Sequence, residues 1–212
     1  MIIALLLLFS ASLASAESYK AALNKALELD KDGFYEEAIG YWEKSRLASP
    51  ANVRLFSSLK ISRNYTRLGN PIRAAEISKS LAESHPQRYE SWFSYANASG
   101  AIRNYPQAIL AFKKSIELKP TEALGKVGLA IAYFGNGEPD LAITEFKSAM
   151  KIFKANKNIS WYRDCRLAIN QIKGFARFPP KFANLWLATN LKRVQDTFEN
   201  SVLDFESILE AN

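Results

Sequence analysis

The segment YPQAILAFKKSIELKP, residues 105–120, decides the fold because its spacing returns along the chain. An alanine followed twelve residues later by a proline occurs three times: Ala38 and Pro50, Ala74 and Pro86, Ala108 and Pro120. A fourth alanine, Ala142, continues the series, since it follows Ala108 at the spacing that separates Ala108 from Ala74. Such a period is typical of helical hairpins that stack on their neighbours, because one hairpin cannot bury its apolar face alone.

The repeat register follows from these alanines. Placing each of them at position 20 predicts four units, at residues 19–54, 55–88, 89–122 and 123–156. Position 8, where two helices cross closely, then holds only small residues: Ala26, Ser62, Ala96 and Ala130. Position 24 fills the space beside that crossing and holds Trp42, Ser78, Phe112 and Phe146. The serine is the exception and indicates a thinner core in the second repeat, residues 55–88.

This pattern resembles the tetratricopeptide repeat (TPR) family across roughly two thirds of the chain. The resemblance implies an all-α fold, a right-handed superhelix of about four helical hairpins followed by a capping helix and a long C-terminal helix. An irregular bundle of amphipathic helices is the alternative. The residues that define the repeat are Ala38, Trp42, Ala74, Trp92, Ala96, Ala108, Phe112, Ala130, Ala142 and Phe146.

The region after the repeat array, which spans residues 17–156, divides into two parts. Residues 157–174 predict a capping helix, and Lys154 stands where a fourth proline would fall, so the last repeat helix is expected to continue beyond it. Residues 175–212 predict an aromatic linker and a long amphipathic helix. Its apolar stripe is Leu187, Leu191, Val194, Phe198, Val202, Phe205 and Leu209. We expect this helix to dock on its own repeats or to pair with a second copy in a homodimer.

The amino terminus reads MIIALLLLFSASLASAES and predicts a signal peptide over residues 1–16. Its apolar run, Ile2 to Phe9, is shorter than the roughly 20 residues that span a bilayer. We therefore expect an exported protein, periplasmic or secreted, with at most peripheral membrane contact after cleavage. An uncleaved anchor is the alternative. Glycosylation sequons at Asn64 and Asn97 fall inside predicted helices, which favours a bacterial envelope over a eukaryotic secretory route.

The net charge of +7 is concentrated near the C-terminus. Between Lys151 and Arg193 there are ten basic residues and one acid, Asp164, whereas residues 194–212 hold five acids and no base. This asymmetry indicates either an anionic partner, such as a lipid or a polymer, or a solvated face of the capping helix. Nucleic acid is a disfavoured partner, because export is predicted and a nucleic-acid-binding motif is not recognisable.

The inventory of chemically reactive side chains is small, since His85 and Cys165 are the sole histidine and the sole cysteine. Neither a common zinc site nor a Ser-His-Asp arrangement can be assembled from them. The sequence therefore predicts a protein that is not an enzyme and that uses no metal and no cofactor. Cys165 is interpreted as a small buried apolar group, with an intermolecular disulfide as the alternative.

The resemblance implies a partner-binding groove on the first helix of each repeat. Its expected residues combine cations for an acidic flank with apolar and polar contacts: Lys60, Arg63, Arg67, Phe93, Asn97, Val127, Ile131 and Phe134. We expect them to be exposed in the free protein and to bind a segment of another protein. Leu23 and Leu27 replace the Lys and Asn of the family's carboxylate clamp, so that ligand is not implied. Binding of anionic lipid or polymer through the basic C-terminal quarter is the alternative function.

The signal-peptide prediction has a direct test. Export should remove the first sixteen residues, because Ala14-Ser15-Ala16 follows a short apolar run. The intact mass of protein recovered from the envelope should correspond to a chain that begins at Glu17. A mass that includes Met1 would show an uncleaved anchor instead.

Overall fold

The computed structural model describes residues 19–47, 49–175 and 180–201. Regular structure in these ranges is helical throughout, as the all-α prediction requires. The helices are α1 (19–32), α2 (Tyr35–Leu47), α3 (Ala51–Arg67), α4 (Pro71–Ser84), α5 (Tyr89–Ala101), α6 (Tyr105–Leu118), α7 (Ala123–Gly135), α8 (Pro139–Ala155), α9 (Ile159–Gly174) and α10 (Pro180–Ser201). They belong to two compact units, whose described parts are residues 19–77 and 78–201.

The first unit is held together by the packing of α2 against α3. Trp42 and Phe56 are both buried and meet edge to face, with ring centroids 5.6 Å apart. The Ser62 hydroxyl donates a hydrogen bond to the carbonyl oxygen of Ala74 at 3.0 Å, which joins α3 to α4 where both residues are buried. Small residues at helix crossings thus allow the backbones to approach closely enough for a side chain to bond the neighbouring backbone.

The second unit is a run of helices from α5 to α9, each packed against the next along the chain. The alanines at the crossing positions are completely buried: Ala96, Ala108, Ala130 and Ala142. Phe112 fills the space that they leave and packs edge to face on Phe93, with centroids 5.6 Å apart. Gly128 is required beside it, because a Cβ there would overlap the Phe112 ring. The core therefore depends on small residues opposite large ones.

The turns inside the hairpins share one backbone conformation. Gly33, Gly69 and Gly137 have φ of 85°, 77° and 84°, and Arg103 at the equivalent position has φ of 61°. In each turn the amide just after this left-handed residue bonds a carbonyl in the last turn of the preceding helix, as in Asn104 to Ser99 at 2.9 Å. Arginine adopts this left-handed conformation at a cost of roughly 1 kcal/mol relative to glycine.

The expectation that α8 runs straight on beyond Lys154 instead of breaking is wrong, because only one more helical residue follows. The helix ends at Ala155, because Lys157 takes a left-handed φ of 57° and the Asn158 amide bonds the Phe153 carbonyl at 2.8 Å. The Asn158 side chain then caps α9 by accepting a hydrogen bond from the Trp161 amide at 3.1 Å. A left-handed turn followed by a good N-cap ends the helix without a proline.

The C-terminal elements follow the predicted order. The capping helix α9 packs on α8, and α10 begins at Pro180 and is described as far as Ser201. The outer part of its predicted stripe, Val202, Phe205 and Leu209, lies outside the described residues, as does the predicted signal peptide over residues 1–16. None of the described helices has the length and apolar character that crossing a membrane requires.

Ala108 provides a test of the repeat register. Replacing it by Leu should destabilise the protein by about 1 to 3 kcal/mol, because extra methylene groups would have to enter a completely buried site on α6. The matched control is Leu110→Ala, also on α6, whose side chain is exposed and whose loss should change stability by no more than about 0.5 kcal/mol. Urea unfolding measures both. An unchanged midpoint for Ala108→Leu would contradict the register.

Candidate functional site

In the first unit, two of the predicted groove cations are already engaged by an acid of the same chain. Arg63 Nη1 lies 2.9 Å and Lys60 Nζ lies 3.5 Å from Oδ2 of Asp30, which is at the end of α1. Asn64 Nδ2 donates to the other carboxylate oxygen at 2.6 Å. The Asp30 side chain is 4% exposed, and those of Lys60 and Arg63 are 14% exposed. We call Asp30, Lys60, Arg63 and Asn64 the Asp30 cluster.

The Asp30 cluster corrects the expectation that Lys60 and Arg63 are exposed and available for a partner's acidic flank. Both cations also lie over aromatic rings, Lys60 over Phe56 at 5.5 Å and Arg63 over Tyr35 at 5.9 Å. They join α1 to α3 by neutralising a buried carboxylate. Arg67 is exposed, as predicted. Asp30 was not foreseen, although it precedes Asn64 by one repeat length, which places the two on neighbouring first helices.

In the second unit, the predicted groove residues form one surface made by two helices. We call it the α5–α7 face: Phe93, Asn97 and Gly100 of α5 with Val127, Ile131 and Phe134 of α7. The members on each helix are spaced i, i+4 and i+7, so they lie on one stripe. Phe134 is partly buried, whereas Phe93, Asn97, Val127 and Ile131 are no more than 5% exposed. The expectation that these four are exposed is therefore wrong.

These residues are buried because α10 lies on the α5–α7 face. Phe198 stacks on Phe93 with centroids 4.2 Å apart, and Trp186 meets the Phe134 ring edge to face at 5.3 Å. Leu191 fills the notch at Gly100, where a Cβ would lie 3.1 Å from the Leu191 side chain. Of the two predicted destinations for the C-terminal helix, docking on its own repeats is confirmed over the described part of α10.

The docked side of α10 is a continuous apolar stripe. Its members are no more than 9% exposed: Trp186, Leu187, Leu191, Val194 and Phe198. Burying such side chains is worth roughly 1.5 to 3 kcal/mol each, so this helix contributes substantially to the second unit. Polar contacts at the edge of this stripe join α10 to α9: Trp186 Nε1 donates a hydrogen bond to Gln171 Oε1 at 2.8 Å, and Arg193 pairs with Asp164.

Two polar atoms beneath α10 are buried without a hydrogen-bond partner among the described residues: Asn97 Oδ1 and the Tyr89 hydroxyl oxygen. Asn97 uses its amide nitrogen within α5, donating to the Phe93 carbonyl at 3.2 Å. Burial, and then the charges of Glu122 and Glu90, raise the pKa of Tyr89 well above its ordinary value. The tyrosine therefore stays neutral, and the α5–α7 face carries unpaired polar atoms inside an apolar contact.

Neither Cys165 nor His85 belongs to the α5–α7 face. Burial, followed by the Asp164 charge, raises the pKa of the Cys165 thiol to about 12, and its side chain is 1% exposed. A disulfide between two chains would therefore require local unfolding. His85 Nδ1 lies 3.0 Å from the Ser84 hydroxyl oxygen. Groups of three or more metal-ligating side chains are absent from the ranges given above.

The described part of the predicted basic region lies on α8, on α9 and in the turn between them. Its solvent-exposed cations are Lys151, Lys154, Lys157, Arg163, Arg166 and Lys173. Arg193, by contrast, pairs with Asp164 and stacks over the Trp161 ring at 4.5 Å. Arg177 lies outside the described residues, and the Lys181 side chain is likewise not described.

Comparison with known proteins is consistent with the repeat architecture. No family model matches the chain. A segment of 86 residues, 41% of the chain, is 31% identical to the anaphase-promoting complex subunit CDC16 of Saccharomyces cerevisiae, and this match covers only 10% of CDC16.

Solved structures share the fold over most of the chain. A crystal structure of MamA has a TM-score of 0.57 and 22% identity, covering 82% of this chain and 96% of MamA. MamA from residue 41 onward, from Desulfovibrio magneticus RS-1, has a TM-score of 0.61 and 16% identity over 86% and 96%. YrrB, described as a TPR protein with an unusual peptide-binding site, has a TM-score of 0.55 and 18% identity over 66% and 70%. At these identities the likeness shows the fold alone, an all-helical TPR-like solenoid.

The Asp30 cluster predicts a stability effect that a partner-binding role would not. Replacing Asp30 by Ala should destabilise the protein by about 3 kcal/mol, because Lys60, Arg63 and Asn64 would all lose the buried carboxylate that they contact. Asp32→Ala, at an exposed position of the same helix, should change stability by no more than about 0.5 kcal/mol. Urea denaturation compares the two. Equal midpoints would show that the cluster does not stabilise the fold.

Proposed function

We propose that this chain is a non-catalytic protein-interaction scaffold, which binds a segment of another protein on the first helices of its repeats. The observation that supports this function best is the α5–α7 face, because it already holds a helix, α10, through stacked rings and a side chain seated in a glycine notch. Binding a helix in an apolar groove is a recurring mode of peptide recognition.

The comparisons support the same function at the level of the fold. YrrB is described as having a peptide-binding site, and CDC16 is a subunit of a multiprotein complex. Repeat scaffolds generally use exposed first helices for such contacts. For this chain we propose the bacterial cell envelope as the location, on the basis of the signal peptide predicted over residues 1–16.

A second candidate function rests on the exposed cations of α8 and α9. Lys154, Lys157, Arg163 and Arg166 have no ion-pair partner among the described residues. Such a surface can attract anionic lipid or an anionic polymer. Because exposed charges are screened by salt, binding of this kind would weaken steeply as ionic strength rises, whereas binding to an apolar groove would not.

Site-specific photo-crosslinking in intact cells tests the scaffold function. A photoreactive amino acid at Arg67, exposed on the first helix α3, should capture one defined protein. The same amino acid at Leu110, exposed on the second helix α6, is the matched control and should not capture it. Mass spectrometry identifies the adducts. Identical adducts at both positions, or none at Arg67, would contradict the proposed scaffold.

Vesicle flotation distinguishes the second candidate function from the scaffold function. Purified protein should not float with anionic vesicles at physiological salt if the scaffold function is the correct one. If it does float, and the variant in which Lys154, Lys157, Arg163 and Arg166 are all replaced by Glu does not, then the basic surface is the binding site. Neutral vesicles provide the control for adsorption.

A further inference from the structure

The arrangement of α10 on α5 identifies which residues face each other. Phe198 contacts Phe93, and Leu191 contacts Gly100, so the two helices run in opposite directions. Asn97 lies between Phe93 and Gly100 on its stripe, and Val194 lies between Leu191 and Phe198 on the stripe of α10. Val194 is 1% exposed and Asn97 is 5% exposed. The register therefore sets an apolar valine against a polar amide.

Within this contact the Asn97 amide is half satisfied. Its nitrogen donates to the Phe93 carbonyl, while Oδ1 is buried with no partner among the described residues. A buried acceptor without a donor weakens the contact that buries it. The stripe of α10 therefore matches the α5–α7 face in its apolar contacts but offers no donor to Asn97 Oδ1, and a donor that reached this oxygen from the docked helix would satisfy the amide.

We propose, building on the scaffold function, that the α5–α7 face is the binding site for an amphipathic helix of a partner protein. In this proposal α10 is a tethered occupant that the partner displaces, and the partner carries a hydrogen-bond donor where α10 has Val194. The apolar positions of the partner follow those of α10, with large side chains at the places of Leu187, Leu191 and Phe198.

The tether explains why a selective contact is needed. An intramolecular helix competes at an effective concentration in the millimolar range, so a partner with the same contacts would bind weakly. The polar contacts that α10 makes with other helices, Arg193 to Asp164 and Trp186 to Gln171, lie at the edge of the docked stripe and favour α10 itself. The unpaired Asn97 oxygen is different, because a donor that reaches it gains a bond that α10 does not make.

A synthetic peptide of residues 180–201 with a fluorescent label tests the site on full-length protein. The acceptor is a full-length variant with Leu191→Asp and Phe198→Asp, in which α10 should leave the face. Fluorescence anisotropy should show binding of the peptide to this variant about 100-fold tighter than to the unmodified chain. A peptide with Val194→Thr should bind the variant about fivefold tighter than the Val194 peptide, as expected for one net hydrogen bond.

Two controls assign that gain to Asn97. Adding Asn97→Leu to the acceptor should abolish the preference for threonine. A peptide with Ala188→Thr, at an exposed position of α10, should bind like the unmodified peptide. The proposal would be overturned if the peptide failed to bind an acceptor that is still helical, or if threonine gave no gain in affinity. A dimeric acceptor in light scattering would also overturn it, because it would show that α10 is exchanged between copies.

A measurement on the intact chain keeps the proposal testable if the double variant does not fold. Val194→Thr alone should raise the equilibrium constant for folding of the full-length protein about fivefold, and Asn97→Leu should remove this effect. A destabilising Val194→Thr would overturn the proposal. These measurements use only this chain's own sequence, so their failure leaves the crosslinking test of the scaffold function unaffected.

Discussion

The close crossing of paired helices at alanine is the constraint on which the other features depend. Where Ala96, Ala108, Ala130 and Ala142 are completely buried, the backbones approach closely and one aromatic ring fills the remaining space. Because the crossing returns once in every repeat, equivalent positions of consecutive first helices come side by side. Phe93, Asn97 and Gly100 each precede their counterparts Val127, Ile131 and Phe134 by one repeat length, so the α5–α7 face consists of the same three repeat positions used twice.

The helix α10 covers this periodic surface with side chains that each fit one repeat position. Its stripe places Trp186 on Phe134 of α7, and Leu191 and Phe198 on the α5 positions Gly100 and Phe93. Without a covering helix, the α5–α7 face would expose large apolar side chains to water. The chain therefore carries its own occupant for the α5–α7 face, and a protein that bound there would have to compete with an intramolecular helix.

The sequence predicted the periodic features well and the non-periodic ones poorly. Spacing located the helices and the small residues at their crossings, because every hairpin repeats the same local requirement. The burial of Phe93 depends instead on where a distant helix docks, and an apolar stripe fits its own repeats or a second copy equally well on sequence grounds. Asp30 was missed because charged residues at the end of a helix are normally solvated, and only the one-repeat offset from Asn64 indicated the contact. The end of α8 was mispredicted because Lys157 adopts a conformation that is uncommon for lysine.

Both units bury polar groups on their first helices, but the surroundings of these groups differ. In the first unit the Asp30 carboxylate is paired with Lys60, Arg63 and Asn64, although Asn64 Oδ1 is buried without a hydrogen-bond partner among the described residues. In the second unit the Asn97 oxygen and the Tyr89 hydroxyl lie under α10 without partners in the described structure. Apolar contacts raise the affinity of many amphipathic helices to a similar degree. A buried acceptor instead raises the affinity of a helix that carries a donor and lowers the affinity of one that does not. At Asn97 a helix with a donor would gain a bond that α10 lacks, while Phe93 and Phe134 would supply affinity that both helices share.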